Sequence, residues 1–210
     1  MKREFPLGEK ELKIGIIGMT EGNGHPYSWS AIFNDYNSEY MKNCPFPAIP
    51  AYLDKQPKST IGIAGAKVTH IYCDNRSDAE DVARCSYIPF VVEKREDMIG
   101  QVDAVIVATD IGSLHAETCR PFIEADIPMF IDKPLVDNEE DLKVFTKWHN
   151  EGRHFISSSS MRYTKELEPY YKSHYELGEL MYICQTMCKK WETYGIHALE
   201  TIYPLLGPGF

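Results

Sequence analysis

The chain has 210 residues, of which 43% are hydrophobic and 25% are charged, so it is long enough to bury a core. Its net charge of −9 argues against a protein that binds nucleic acid or a membrane surface, because such binding needs a basic face. No apolar run approaches the about 20 residues that a membrane-spanning helix needs, and residues 1–13 lack the apolar stretch of a secretory signal.

Apolar runs alternate with helical patterns along the first 160 residues. The predicted strands lie at 12–18, 67–73, 89–92, 103–108, 128–132 and 155–159. The predicted helices lie at 27–36, 77–85, 113–125 and 137–150, and residues 38–65 are predicted to form an insertion with little regular structure. Because the strands are continuously apolar and alternate with helices, we expect an α/β fold with a doubly wound, parallel Rossmann sheet in residues 1–160.

Two predicted helices carry recognisable start signals. Ser77 is the expected N-cap of one, with Glu80 completing a capping box. Asp137 is the expected N-cap of the other, and Leu142, Phe145 and Trp148 are expected to face the core.

The pattern changes after residue 160. A Tyr-rich helix is predicted at about 164–176, a strand at 180–187 and a helix at about 193–203. One strand and two helices cannot cover a sheet of their own. We therefore expect residues 161–210 to be the beginning of an incomplete α+β second domain, which serves substrate binding or oligomerisation.

The six cysteines are scattered along the chain and form no CxxC pair. Cys184 and Cys188 lie four residues apart, but no histidine pair follows them at the spacing of a zinc site. We expect reduced thiols in a cytoplasmic protein, and no metal site.

A glycine-rich turn follows the first predicted strand and contains Gly18, Thr20, Gly24 and His25. Glycines allow a tight turn and close approach of the backbone to a pyrophosphate, which the N-terminus of the next helix attracts. The spacing is not GxGxxG, so an ordinary glycine-rich loop is an equal alternative.

Asp74 follows the second predicted strand, where a carboxylate can accept both hydroxyls of a ribose and would repel a 2′-phosphate. This favours NAD as the cofactor. Arg76 nearby leaves NADP open as the alternative.

Residues 105–135 contain a Thr109-Asp110 pair at the end of the fourth strand, His115 in the next helix, and Asp132-Lys133-Pro134 at the end of the fifth strand. This segment resembles the Gfo/Idh/MocA family of dinucleotide-dependent oxidoreductases, in which the corresponding pairs are Thr-Pro and Glu-Lys-Pro. The resemblance extends from about residue 14 to the end of the chain, interrupted by the insertion. It implies that Thr109, Asp110, His115, Asp132 and Lys133 bind the cofactor, and that Lys133 also contacts the substrate.

The position of Lys133 also indicates a ligand-binding role without reference to the family. The proline after it favours an extended backbone at the exit of a strand, where ligands of such sheets lie. An ammonium there can donate to a substrate oxygen and stabilise alkoxide charge.

His197 matches a histidine that the family carries after an Asp and three residues, but Thr193 occupies the Asp position. Threonine can hold a hydroxyl by a hydrogen bond but cannot act as a base at neutral pH, whereas histidine can. We expect Lys133 and His197 to line one pocket together with Thr193. Glu192 and Glu200 are possible substitute carboxylates, with Glu200 expected to face solvent, and Arg162-Tyr163 resembles a family segment beside the nicotinamide.

These features predict an NAD-dependent oxidoreductase that moves hydride between nicotinamide and a secondary alcohol, with a sugar or cyclitol as the small-molecule partner. The resemblance also implies a homo-oligomer when the second domain is complete. The alternative is a non-redox member of the family, such as an NAD-assisted glycosidase or a dinucleotide-binding regulatory protein, which the threonine at 193 favours.

Overall fold

The computed structural model describes residues 10–173 and 175–207. Most of residues 1–13, for which the sequence predicts no secretory signal, and one residue of the helix predicted at 164–176 lie outside the described residues. None of the described helices combines the length and hydropathy that crossing a bilayer requires.

Six strands form one parallel sheet. They are β1 (Leu12–Ile17), β2 (Ala66–Tyr72), β3 (Phe90–Val91), β4 (Ala104–Val107), β5 (Met129–Ile131) and β6 (Phe155–Ile156). Their order in the sheet is β3-β2-β1-β4-β5-β6, and every neighbouring pair is parallel. The predicted doubly wound Rossmann sheet is confirmed, and the strand order reverses between β1 and β4, which is where such sheets bind ligands.

Eight helices accompany the sheet in the described residues. They are α1 (His25–Asn34), α2 (Ser38–Met41), α3 (Ala48–Leu53), α4 (Arg76–Cys85), α5 (Gly112–Glu124), α6 (Glu139–Asn150), α7 (Glu168–Lys172) and α8 (Trp191–Leu206). Short 3-10 turns occur at Lys58–Thr60, Arg95–Met98 and Ser160–Tyr163.

The core consists of two apolar clusters, one on each face of the sheet. The first packs β1 and β2 against α1 and α4 and includes Ile16, Ala31 and Val82. The second packs β4 and β5 against α5 and α6 and includes Phe122 and Phe145. Burial on both faces explains why these strands are continuously apolar rather than alternating.

Two predicted helix starts are wrong by one or two residues. Asn75, rather than Ser77, caps α4 by accepting a hydrogen bond from a backbone N–H, and Asn138, rather than Asp137, caps α6. In each case an asparagine beside the predicted cap takes the extended conformation that an N-cap requires. On α6, Phe145 and Trp148 are buried as expected, but Leu142 is half exposed.

The insertion at 38–65 has more regular structure than predicted, since it contains α2, α3 and one 3-10 turn. Met41 and Leu53 are buried in the first cluster. These two apolar anchors explain why the segment folds onto the sheet domain despite its many prolines.

The C-terminal part is helical, and the strand predicted at 180–187 is wrong. Residues 179–190 have no helix or strand, and most of their side chains are exposed. A strand needs a neighbour to satisfy its backbone groups, and no described segment pairs with this one. The predicted Tyr-rich helix is reduced to the short α7, whereas the last helix is longer than predicted and spans Trp191–Leu206.

Candidate active site

A cavity of about 630 Å³ opens where β5 and β6 end and where α1 and α8 approach them. Its apolar wall comes from the sheet and from α1, and includes Ile106, Phe130, Trp29 and Phe33. Its polar groups are His25, Asp132, Lys133, Ser158, Ser160, Tyr163, Tyr194 and His197. A largely apolar cavity with a few converging polar groups is the usual form of a small-molecule site.

Lys133 follows β5 and is 7% exposed. Among the described residues, its ammonium has no hydrogen bond or ion pair, and Nζ lies 5.8 Å from the centre of the Tyr194 ring. A buried ammonium is stabilised by partners. This one faces the cavity without a strong partner, so it can donate to a bound oxygen.

Asp132 is 2% exposed and lies directly before Lys133. One carboxylate oxygen accepts the backbone N–H of Lys133 at 2.7 Å. The other lies 2.6 Å from Nδ1 of His25 and 3.4 Å from the amide nitrogen of Asn23. The carboxylate therefore joins the end of β5 to the start of α1.

His197 lies on α8 and reaches the same cavity. Its Nδ1 lies 2.6 Å from the hydroxyl of Ser159. Burial and, after it, the charge of Lys133 lower the pKa of His197, against a smaller opposing effect of Asp132. The structure therefore brings Lys133 and His197 together, as expected. Thr193 is not among the lining residues, and its neighbour Tyr194 takes that place.

The glycine-rich turn between β1 and α1 is shaped by its neighbours. A Cβ at Gly18 would collide with the ring of Pro26, and a Cβ at Gly24 would come within 2.6 Å of Phe46 and of Ile49. Gly24 thus makes room for the insertion as well as for the turn. Gly22 has a φ of 78° and open space around it.

The same turn is tied to the end of β4. The hydroxyl of Thr20 donates to Asp110 at 2.5 Å, and the amide of Asn23 donates to the carbonyl of Ala108 at 3.1 Å. Asp110, which stands where the family has proline, therefore has a partner within the protein.

His115 is fully buried on α5. Its Nδ1 lies 3.0 Å from the carbonyl of Leu135, and its Nε2 lies 3.1 Å from the hydroxyl of Thr109. Nε2 also lies 3.0 Å from the carbonyl of Thr109. His115 thereby links the segments that follow β4 and β5, and it does not line the cavity.

Asp74 is exposed beyond the end of β2, and the hydroxyl of Tyr72 donates to it at 3.2 Å. Arg76 is paired with Glu80 at 2.8 Å and also with Glu93. The carboxylate at this edge is accessible, whereas the guanidinium is engaged by two carboxylates.

Two residues after β6 have separate contacts. Arg162 pairs with Glu200, whose side chain is 12% exposed, so the expectation that Glu200 faces solvent is wrong. Tyr163 lines the cavity, and its hydroxyl donates to Ser158 at 3.1 Å. The ion pair holds the turn after β6 against α8.

The turn and the strand ends fit a dinucleotide. In the described part of the chain, the backbone N–H groups of Glu21 and Gly22 donate to no protein acceptor, which leaves them available for a phosphate. The start of α1 contributes less, because the N–H of His25 is taken by the side chain of Asn23 and Pro26 has none. Asp74 and Lys133 are polar groups that follow two different strands of the sheet, at the edge where such sheets bind dinucleotides.

The family is decided by a match over most of the chain. A family model described as "Oxidoreductase family, NAD-binding Rossmann fold", that of Gfo/Idh/MocA, matches residues 12–154. The chain belongs to the Gfo/Idh/MocA family. No curated protein matches the chain.

Solved structures of Gfo/Idh/MocA-like dehydrogenases share the fold. Myo-inositol 2-dehydrogenase from Lactobacillus plantarum superposes with a TM-score of 0.55 at 18% identity, over 83% of this chain and 43% of its own. Scyllo-inositol dehydrogenase from Lactobacillus casei, solved with NAD(H) and scyllo-inositol, gives 0.54 at 18% identity, over 82% and 43%. A putative myo-inositol dehydrogenase from Sinorhizobium meliloti 1021 gives 0.60 at 15% identity, over 94% and 56%. The chain thus spans about half the length of these structures.

Several cavity residues were not predicted from the sequence. They are Trp29, Phe130, Ser158, Ser160 and Tyr194. Tyr194 could have been found from its place next to Thr193 at the start of the last helix. The serines had no signal beyond a polar run after the sixth strand, which is where ligand-binding loops of such sheets occur.

Proposed function

We propose that this protein is an NAD-dependent oxidoreductase that acts on a secondary alcohol of a sugar or cyclitol. The observation that carries the proposal is the buried ammonium of Lys133, which lacks a hydrogen-bond partner among the described residues and shares a cavity with His197. Membership of an oxidoreductase family supports the redox chemistry.

The chain's own residues would bind and orient the substrate. Lys133 donates a hydrogen bond to the reacting hydroxyl and stabilises negative charge on its oxygen. His197 lines the same cavity and can exchange a proton with a substrate hydroxyl. The serines and Tyr163 offer hydroxyls to the other substrate hydroxyls, and the apolar wall excludes water.

The dinucleotide would be held by the turn at Gly18, Thr20, Gly24 and His25, by Asp74, and by Thr109, Asp110 and the Asp132-Lys133 pair. His115 would contribute by holding Thr109 in place. When bound, the dinucleotide supplies the hydride acceptor.

A polyol substrate is supported by the polar groups of the cavity and by the similar solved proteins. The scyllo-inositol dehydrogenase among them was solved with a cyclitol bound. We also propose that residues 161–210 take part in substrate binding, since α8 contributes Tyr194 and His197 to the cavity of the sheet domain.

The experiment is a panel of cyclitols, aldoses and sugar acids incubated with NAD, with NADH measured by absorbance and the product by mass. We expect one NADH for each ketone formed with at least one polyol. Tight binding of NAD with no NADH from any member of the panel would instead favour the non-redox alternative.

A further inference from the structure

Two histidines reach the cavity, and they are held in different ways. His197 is held by the neutral hydroxyl of Ser159 at 2.6 Å. His25 is held by a carboxylate, since its Nδ1 lies 2.6 Å from Asp132. The oxidation of an alcohol releases one proton. The two histidines differ in the group that orients the ring to accept it.

The carboxylate of Asp132 is buried and hydrogen-bonded. It is 2% exposed and accepts the backbone N–H of Lys133 at 2.7 Å, with the amide of Asn23 3.4 Å away. An ionised Asp132 accepts Nδ1–H from His25, which fixes the tautomer and leaves Nε2 as the ring's proton acceptor.

The ring of His25 is held in position on a second side. It stacks on Trp29 with 4.4 Å between ring centres and 12° between planes, and Trp29 in turn contacts Phe130 edge-on at 5.5 Å. The rings of His25, Trp29 and Phe130 all line the cavity. In the described part of the chain, Nε2 of His25 has no hydrogen-bond partner.

The charged and titratable groups around the two rings come from three elements. Asp132 and Lys133 follow β5, His25 begins α1, and His197 lies on α8 together with Tyr194, with Lys189 just before that helix. His197 faces the nearby ammonium of Lys133, which opposes its protonation. His25 has a carboxylate in direct contact, as in an Asp–His pair that acts on a hydroxyl.

We propose that His25, oriented by Asp132, is a catalytic acid–base residue of this site and the resting place of the proton that the alcohol releases. The proposal rests on the proposed oxidoreductase function.

In the direction of oxidation the O–H bond of the substrate breaks and an N–H bond forms at Nε2 of His25. The electron pair of the O–H bond becomes the second bond of the new carbonyl, as the carbon gives up hydride to oxidised NAD. The proton then leaves His25 for solvent. Asp132 is a positioning residue in this scheme and supplies the carboxylate that Thr193 does not.

The first test is the tautomer of His25, read from imidazole nitrogen shifts by NMR of the 210-residue chain without substrate. We expect the Nδ1–H tautomer in the wild type and its loss in Asp132→Asn. An Nε2–H tautomer in the wild type would overturn the proposal, whether or not the protein turns over a polyol.

The second test is turnover of the polyol found in the panel. His25→Gln should lower kcat by about 10²-fold or more, the usual size of acid–base catalysis, and Asp132→Asn should shift the acid limb of the pH–kcat profile. The matched control is His149→Gln, because His149 is an exposed histidine on α6 outside the cavity. This variant should leave kcat and the pH–kcat profile unchanged.

The outcomes separate the two claims. A wild type that oxidises a polyol while His25→Gln keeps kcat within about twofold would overturn the role of His25 and leave the proposed function standing. A wild type that binds NAD but oxidises nothing would end the proposed function, and the catalytic role of His25 with it.

Discussion

The hydroxyl of Ser159, just beyond β6, lies 2.6 Å from Nδ1 of His197 on α8. This contact ties the C-terminal helix to the edge of the sheet where Lys133 and Asp132 lie. It also leaves Nε2 as the ring nitrogen of His197 without a partner among the described residues. The geometry of the site therefore depends on a junction between the sheet and a helix that follows it by more than thirty residues.

Removing the charge of Lys133 should raise the pKa of His197. After burial, that charge is the largest cause that lowers the pKa of the ring. In Lys133→Met we expect the pKa to move upward toward the ordinary value of about 6.5, as followed by NMR titration of the imidazole. Lys189→Met is the matched control and should shift the pKa less, because Lys189 acts on the ring more weakly than Lys133 does. Equal titration in the wild type and in Lys133→Met would show that the two side chains do not interact.

The stability of the protein should fall as the pH falls below about 6.5. Burial lowers the pKa of both His70 and His197, so the unfolded chain binds protons in this range that the folded chain does not. The free energy of unfolding therefore rises with pH between the lowered pKa values and about 6.5, and then becomes flat for these groups. Urea unfolding at several pH values measures the slope.

A matched variant isolates one of these histidines. His70 is 7% exposed and stacks on Phe90 at 4.8 Å. His70→Gln removes the titration of this ring, so the free energy of unfolding should depend less steeply on pH below about 6.5 in this variant than in the wild type. His149→Gln, which changes an exposed histidine, should keep the wild-type slope. A slope that is unchanged in His70→Gln would mean that the pKa of the ring is the same in the folded and unfolded chains.

Most of the sheet domain could be predicted because each strand is buried on both faces and reads as an apolar run. The run at 180–187 shows the limit of that signal, since a strand forms only if another strand pairs with it. Helix starts were displaced at Asn75 and Asn138, because neighbouring polar residues compete for the same cap.

The candidate site was predicted only in part. Lys133 and His197 were found through motif positions and strand ends, and both line the cavity. The pairing of His25 with Asp132 had no local signal, because 107 residues separate them and only the strand order brings the two loops together. Both residues were expected to bind the cofactor, but not to form a pair.

The insertion should constrain the glycine turn. A Cβ at Gly24 would lie within 2.6 Å of Phe46 and of Ile49, so Gly24→Ala should destabilise the protein by about 1–3 kcal/mol, the usual cost of overpacking. Because the crowding involves Phe46, the loss should be smaller when Gly24→Ala is made in a Phe46→Ala background. Urea unfolding of the four proteins gives the interaction energy. Strict additivity would show that the insertion does not press on the turn.

The edge of the sheet at β2 should select NAD over NADP. Asp74 is accessible and would repel a 2′-phosphate, while Arg76 is held by Glu80 and Glu93. We expect at least tenfold tighter binding of NAD, which is about 1.4 kcal/mol, by calorimetric titration of both dinucleotides.

Two variants test the causes of that preference. Asp74→Asn should weaken NAD binding with a smaller loss for NADP, and the double variant Glu80→Gln/Glu93→Gln should free Arg76 and improve NADP binding. Tighter binding of NADP by the wild type would reverse the assignment and identify Arg76 as a phosphate ligand.

The central claim is that Lys133 acts on an alcohol whose hydride passes to the dinucleotide. The most direct measurement is a single turnover with NAD and the panel polyol deuterated at its carbinol carbons, followed by NMR of the reduced nicotinamide. We predict one deuterium at nicotinamide C4 for each ketone formed. In Lys133→Met we predict that the rate of transfer falls by about 10²-fold or more. The loss in NAD affinity should be smaller, because the ammonium acts most strongly on developing charge. Deuterium transfer at the wild-type rate in Lys133→Met, or NAD binding without any transfer in the wild type, would contradict the account.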